Sequence, residues 1–168
     1  MSTQAESRDR ADHAEQNIDA WVSFIRAHAA ITRELSAQLQ RRHGLTLNDY
    51  EVLLHLSRAE GRMMRRVDLA QSVLLTASGI TRLLDGLERA GLVCKETCKS
   101  DARVSYAKLT DEGLQRLRDA GRGHLADIDE LFLGRYSGSE LATLADLLSR
   151  LPLAGRLLGG ESDACTVE

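Results

Sequence analysis

Ser78, Thr81 and Arg82 combine side-chain types and a spacing that suit the reading of DNA bases. Intervals of three and four residues place side chains on one face of an α-helix. Hydroxyl groups and a forked guanidinium donor can hydrogen-bond to base edges in a major groove. Thr76 and Ala77 precede them, and short side chains at a helix start let its backbone lie close to a partner. This pattern is typical of the reading helix of a helix-turn-helix.

Sequence signals on both sides define the helix that would carry these side chains. Thr76 is a good N-cap residue, and Gly91 is a natural residue just past a helix end. Between them, apolar residues recur at helical spacing and form one buried stripe: Ile80, Leu83, Leu84 and Leu87. The sequence therefore predicts a helix over residues 77–90, with its polar face turned away from the core.

A short β-hairpin is predicted directly after this helix. Residues 92–97 and 103–109 are rich in Val, Tyr, Thr and Cys, and a polar stretch separates them. Lys99 and Arg103 place positive charge at the tip, and Asp101 can orient Arg103 towards a minor groove, whose narrow A·T tracts attract Arg. The hairpin can equally be an ordinary one with a solvated turn, but its position after a helix-turn-helix favours a DNA-binding wing.

A supporting helix is predicted over residues 65–73, in front of the reading helix. Val67, Leu69, Ala70 and Val73 form its apolar side. Arg65 and Arg66 stand at its start, where free backbone N–H groups also attract phosphates. The alternative is that both are solubilising arginines. We expect them to contact the DNA backbone.

Residues 46–113 resemble the winged-helix core of the MarR family of bacterial transcription regulators. Five segments carry the resemblance, in this order and at these spacings: Leu69-Ala70-Gln71, Ser78 to Asp85, Leu87 to Val93, Asp101-Ala102-Arg103 and Leu109 to Gly113. With the flanking helices it extends over residues 18–151. The wing differs from many members, because Ala102 and Val104 flank Arg103 where those members have more basic residues. This departure predicts fewer phosphate contacts at the tip.

The composition is typical of one mainly helical domain. The chain has 168 residues, 43% of them hydrophobic, with one Pro and few aromatic residues. It contains no run of 18 apolar residues and no signal-peptide core, so we expect a cytoplasmic protein that does not contact membranes. The histidines are scattered, and no metal, nucleotide or catalytic motif is recognisable. We therefore expect no cofactor, no metal and no enzymatic activity.

The net charge of −3 is unevenly distributed. Residues 62–103 contain eight Lys or Arg and five Asp or Glu, so this segment is positive while the remainder is acidic. An acidic frame around a basic reading element is compatible with binding in a DNA groove. It also predicts modest non-specific affinity that falls steeply with salt.

The helices at the two chain ends have more apolar surface than a winged helix can cover. The predicted first helix carries two adjacent apolar stripes, and Leu-rich helices follow the wing. Dimerisation through both chain ends would bury this surface, as the resemblance also implies. The predicted fold is mainly α with a small β-hairpin wing. Its segments are a flexible arm (1–16), a dimerisation helix (17–45), the winged helix-turn-helix core (46–110), C-terminal dimerisation helices (111–153) and a flexible tail (154–168).

The resemblance implies a function: a dimeric repressor, released from an inverted-repeat operator by a small aromatic or anionic effector. The effector would lie between the dimer helices and the DNA-binding lobe. Each of the residues expected to border it has a core or dimer-interface role as the alternative, and the residue pattern favours that alternative. They are Trp21, Ile25, Arg26, His28, Tyr50 and His55.

Two alternatives remain open at the level of sequence. The chain can be a helical protein–protein interaction module that uses the winged helix as a docking surface. It can also be a thiol-based redox-sensing regulator, with Cys98 or Cys165 as the sensor. Cys94 is expected to be a small apolar residue without redox function. Cys94 and Cys98 cannot form a disulfide while they share one extended strand, because their Cα atoms would lie about 13 Å apart.

Overall fold

The computed structural model describes the backbone of residues 3–97 and 105–151 and the side chains of residues 18–96 and 105–151. Six α-helices and three strands follow each other in the order α1 (Thr3–His43), α2 (Leu47–Arg58), β1 (Met63–Arg65), α3 (Arg66–Ser72), α4 (Ala77–Arg89), β2 (Val93–Thr97), β3 (Ser105–Leu109), α5 (Asp111–Leu131) and α6 (Gly138–Ser149). Short 3₁₀ turns, Glu60–Arg62 and Leu133–Arg135, precede β1 and α6.

Helix α1 is longer than its sequence predicts. It begins at Thr3 rather than near residue 17, so the described part of the expected N-terminal arm is helical. It ends at His43, and Gly44 has the positive φ of 68° that the end of a helix commonly needs. The polar residues before 17 lack an apolar stripe, and for that reason periodicity alone did not include them in the helix.

The winged-helix core forms as predicted from local signals. Thr46 and Asp49 make a reciprocal capping box at the start of α2, with Thr46 N–H donating to Asp49 Oδ2 at 2.8 Å. The strands form one antiparallel sheet in the order β1-β3-β2. Cys94 lies opposite Lys108, and Met64 lies opposite Ala107 on the other side of the same central strand. β1 therefore adds a third strand beside the two strands of the wing.

One continuous apolar core joins α2, α3, α4 and the sheet. Leu53, Leu56, Leu69, Leu84 and Leu92 are almost completely buried in it. The start of α5 is hydrogen-bonded to the segment after α4. Thr110 Oγ1 accepts from Gly113 N–H and donates to the Gly91 carbonyl at 2.7 Å. The end of the reading helix and the start of α5 thus share one hydrogen-bonded junction.

Large apolar side chains remain exposed on the chain-end helices. Of the eleven exposed ones among the described residues, nine lie on α1 or from α5 onwards: Ile18, Trp21, Phe24, Ile25, Leu125, Leu133, Tyr136, Leu147 and Leu151. Helix α6 buries no residue within the chain. Exposed apolar surface concentrated in this way is typical of a protein–protein contact. No described helix is long and apolar enough to cross a membrane.

Candidate nucleic-acid interface

Helix α4 presents a polar face to solvent. Thr76 caps it, with its hydroxyl accepting from Gly79 N–H at 3.1 Å. Ile80, Leu84 and Leu87 are buried on one side of the helix. The side chains expected to read DNA lie on the other side, where all of them are exposed: Ala77, Ser78, Thr81 and Arg82. The packing of the apolar stripe therefore determines which face of α4 is available to a ligand.

The polar side chains of this face are partly ordered by the helix itself. Thr81 Oγ1 donates to the Ala77 carbonyl at 2.8 Å, and Arg82 Nε donates to the Ser78 carbonyl at 3.4 Å. The two terminal nitrogens of Arg82 make no hydrogen bond with any described residue. They are available as the forked donor that a guanine edge or a phosphate accepts.

Arg65 and Arg66 are placed differently from the prediction. Arg65 is the last residue of β1 and the N-cap of α3, so α3 begins one residue later than its sequence suggested. The Arg66 side chain is only 20% exposed, and its Nη2 lies 3.9 Å from Asp85 Oδ1 on α4. No sequence pattern pairs these two residues, because they are 19 positions apart and on different helices. Phosphate contact by both arginines remains a prediction.

The wing is described as far as its two strands. β2 and β3 pair over five residues, and Lys108 Nζ donates to Glu96 Oε1 at 3.1 Å across them. Cys94 is exposed rather than packed as a small apolar residue, because it lies on the sheet face opposite the core. The tip residues Lys99, Asp101 and Arg103, and also Cys98 and Cys165, lie outside the described residues.

The six residues expected near an effector do not line one site in the chain. Trp21 (59% exposed), Ile25, Arg26 and His28 are exposed on α1. Tyr50 is buried, with its ring centroid 4.5 Å from that of His124 on α5. His55 is half-buried, and its pKa is lowered by burial and by the positive charge of Arg58. His55 is therefore poorly suited to pair with an anion at neutral pH.

A groove between α1 and the start of α2 does include His28. Its volume is about 590 Å³, and its other lining residues are Ala29, Thr32, Arg33, Ser36, Thr46, Leu47 and Asn48. Leu47 N–H donates to Ser36 Oγ at 3.2 Å across the groove. The sequence does not predict this groove, because its residues are ordinary helix and cap residues that only the crossing of two helices brings together.

A polar cluster connects α1, α2 and α5, with Asp127 and His124 buried and Arg42 half-exposed. Arg42 Nη1 lies 2.9 Å from both carboxylate oxygens of Asp127. His124, 6% exposed, packs on Tyr50, and its Nδ1 is buried without a hydrogen-bond partner among the described residues. Burial lowers the pKa of His124, and the nearby negative charge of Asp127 only partly offsets this effect. The fold therefore holds His124 as a neutral imidazole.

We expect the protein to lose stability between pH 7.5 and 5.5, and His124→Gln to reduce that loss. A pKa that is lower in the folded than in the unfolded state means that the unfolded chain takes up the proton first as the pH falls. One such proton changes the unfolding free energy by at most about 1.4 kcal/mol per pH unit. Urea unfolding at fixed protein concentration measures the effect, and exposed His28→Gln is the control. Equal pH dependence in His124→Gln and the parent chain would contradict the prediction.

Comparison with known proteins places this architecture in a family. The sequence model of the MarR family matches residues 43–104. AbsC, a MarR family transcriptional regulator from Streptomyces coelicolor, is 34% identical, with 86% of this chain and 96% of AbsC covered and a TM-score of 0.77. The chain belongs to the MarR family of transcriptional regulators. Another MarR regulator of that organism, Sco3205, was solved in complex with DNA; it is 31% identical, with 89% and 92% of the two chains covered and a TM-score of 0.78.

The MarR family assignment confirms the predicted fold and the reading of this chain as a DNA-binding transcription regulator. CouR from Rhodococcus jostii RHA1, solved with bound p-coumaroyl-CoA, is 26% identical over 80% of this chain and 93% of its own, with a TM-score of 0.68. Among the described residues of this MarR regulator, no group of three His, Cys, Asp or Glu side chains could hold a metal ion. Transcription regulation, rather than catalysis, is the role of the family.

Proposed function

We propose that the protein is a dimeric repressor that binds an inverted-repeat operator and releases it when a small anionic effector binds. The observation that carries this proposal is the exposed polar face of α4, whose reading side chains are free of contacts with the core. Ser78, Thr81 and Arg82 would contact bases in the major groove. Arg103, oriented by Asp101, would enter the minor groove. A DNA-binding role places the protein in the cytoplasm, with the chromosome.

Two copies of this chain would present two reading helices to one face of the duplex. In a two-fold dimer these helices bind half-sites about 34 Å apart, one turn of DNA. The apolar residues exposed on α1 and from α5 onwards support this arrangement, since they lie at the chain ends and leave α4 uncovered. Trp21→Glu should therefore yield monomers in sedimentation velocity. Val67→Glu changes an equally exposed apolar residue on α3 and should leave the dimer intact; a dimeric Trp21→Glu variant would contradict the proposed interface.

Arg82→Ala and Arg103→Ala are each expected to weaken operator binding by about 1–3 kcal/mol without loss of fold. Both remove a guanidinium that would contact a groove. Footprinting on the upstream region of the protein's own gene identifies the operator, and gel-shift titration then measures the affinity. Arg118→Ala, at an exposed position on α5 rather than on α4 or the wing, serves as the control. Parental affinity in the Arg82 and Arg103 variants would refute the proposed contacts.

The groove between α1 and α2 is the proposed effector site. Arg33 supplies a positive charge there, whereas the Asp49 carboxylate of the capping box already offsets the positive end of the α2 dipole. Thr32, Ser36 and Asn48 provide polar groups, while Ala29 and Leu47 provide apolar surface. Helix α1 carries a row of rings from Trp21 through Phe24 to His28, spaced 6.4 Å apart, that leads to this groove. An aromatic carboxylate matches this combination of charge and apolar surface.

Titration of the operator complex with simple aromatic acids tests the effector site. Benzoate and 4-hydroxybenzoate carry the proposed carboxylate, and benzamide has the same ring without the charge. We expect release of operator DNA by the acids but not by benzamide, and a weaker response in Arg33→Gln. Equal responses to benzoate and benzamide, or an unchanged response in Arg33→Gln, would refute an anion site at this groove.

A further inference from the structure

Arg66 occupies an unusual place for a residue next to a DNA-binding helix. Its side chain is four-fifths buried between α3 and α4, and its Nη2 has no solvent exposure and no hydrogen bond with a described residue. The carboxylate of Asp85, 3.9 Å away, is the charge that faces it. This distance makes an ion pair that is longer than a hydrogen bond. A phosphate oxygen cannot reach Nη2 unless the side chain leaves this position.

Asp85 connects Arg66 to the reading side chains. It lies three residues after Arg82 on α4 and is 56% exposed, so its negative charge stands beside the proposed DNA surface. Its backbone carbonyl accepts from Arg89 Nε at 3.1 Å. A carboxylate at this place would repel phosphates if nothing compensated its charge. The Arg66 guanidinium compensates that charge and forms an ion pair between α3 and the middle of α4.

In place of the phosphate contact that the sequence predicts for Arg66, we propose that Arg66 is a positioning residue that acts on DNA through Asp85. This inference rests on the proposed reading of DNA by α4. The apolar stripe determines which face of α4 is exposed, and the ion pair adds a charged contact to α3 that adjusts the direction in which this face meets the groove. Asp85, an acidic residue on a DNA-binding helix, thereby contributes to affinity.

The operator affinity of Asp85→Asn distinguishes a positioning role of Asp85 from simple repulsion of DNA by its charge. If Asp85 only repels DNA, removing its charge must raise the affinity. If it holds Arg66 and orients α4, the affinity must fall in spite of the lost repulsion, and we expect a fall of about threefold to tenfold. Because Asp85→Asn leaves the buried Arg66 Nη2 without a facing charge, urea unfolding of the variant is measured beside its affinity, and the affinity is read at a temperature where the variant is folded. Tighter binding of Asp85→Asn would overturn the proposal.

The salt dependence of binding by Arg66→Gln gives a second, independent readout. Loss of one phosphate contact lowers the slope of log K against log salt concentration by about 0.9, whereas loss of positioning leaves it unchanged. We expect about tenfold weaker binding with the parental slope, and less than a further twofold loss when the substitution is added to Asp85→Asn. Fluorescence anisotropy on the footprinted operator, with the full chain at several salt concentrations, provides these values.

Arg65→Gln is the matched control, since Arg65 is the adjacent arginine. Its Nε is also buried, 3.7 Å from Asp68 Oδ2, but its side chain is 40% exposed, twice as much as that of Arg66. This variant should show the lowered slope of a phosphate ligand. A lowered slope in Arg66→Gln, or the same loss with and without Asp85→Asn, would overturn the positioning role while leaving DNA binding by α4 intact. Absence of binding by the parental protein would instead overturn the proposed function, and this inference with it.

Discussion

Replacing Gly113 with alanine is expected to destabilise the protein by about 3 kcal/mol or more. A Cβ atom at Gly113 would lie 2.0 Å from the Leu92 carbonyl oxygen and 2.8 Å from Leu109 Cδ1. Both distances are far inside van der Waals contact, and the closest atom belongs to backbone that cannot rotate away. Thr110 N–H donates to the same carbonyl at 3.1 Å, so a shift of Leu92 also disturbs the cap of α5. The start of α5 would have to separate from the wing and the end of α4.

Gly121→Ala on the same helix is the matched control. A Cβ there would lie 3.5 Å from the Tyr50 hydroxyl, which is an ordinary contact. Alanine is favoured over glycine in a helix interior, so this variant should gain about 0.5–1 kcal/mol. Urea unfolding of both variants at one protein concentration measures opposite changes from the same substitution. An unfolding midpoint of Gly113→Ala equal to that of the parent would show that the close approach of α5 to Leu92 is absent.

Arg42→Met is expected to lower the free energy of unfolding by about 3 kcal/mol. The Asp127 side chain is only 8% exposed, and Arg42 Nη1 bonds to both of its carboxylate oxygens at 2.9 Å. Removal of the arginine leaves a buried carboxylate without its compensating charge, which is strongly destabilising. The pair connects the end of α1 to α5, so the same substitution weakens the contact between these two helices.

Substitution of Asp127, the other member of the pair, should lower the free energy of unfolding less than substitution of Arg42. Arg42 is 52% exposed, so in Asp127→Asn its charge is still solvated and we expect a cost of about 1 kcal/mol. In the double variant Arg42→Met with Asp127→Leu, no buried charge remains, and most of the lost stability should return. Equal costs for the two single substitutions, or no recovery in the double variant, would show that burial of Asp127 does not govern the effect.

Features set by neighbouring residues were predicted well from the sequence. The cap at Thr76 forms as predicted, because it is a hydrogen bond to a backbone group three residues away. Caps of the same kind form at Thr46, Thr110 and Ser137. The apolar stripe of α4 is buried as its periodicity predicts, and the reading face follows from it. Together with the resemblance in the core, these local signals were enough for the fold and for the identity of the family.

The sequence by itself thus determined the reading helix α4 with its ends, the hairpin strands and the exposed polar face of α4, since all of these depend on residues close together in the chain. Only the tertiary structure decided which side chains meet across elements: Arg66 with Asp85, Arg42 with Asp127, and Tyr50 with His124. It also buried Tyr50, exposed Cys94 and formed the groove between α1 and α2. These contacts depend on where distant segments cross, and a polar or aromatic residue has the same local signal whether such a crossing buries it or leaves it in water.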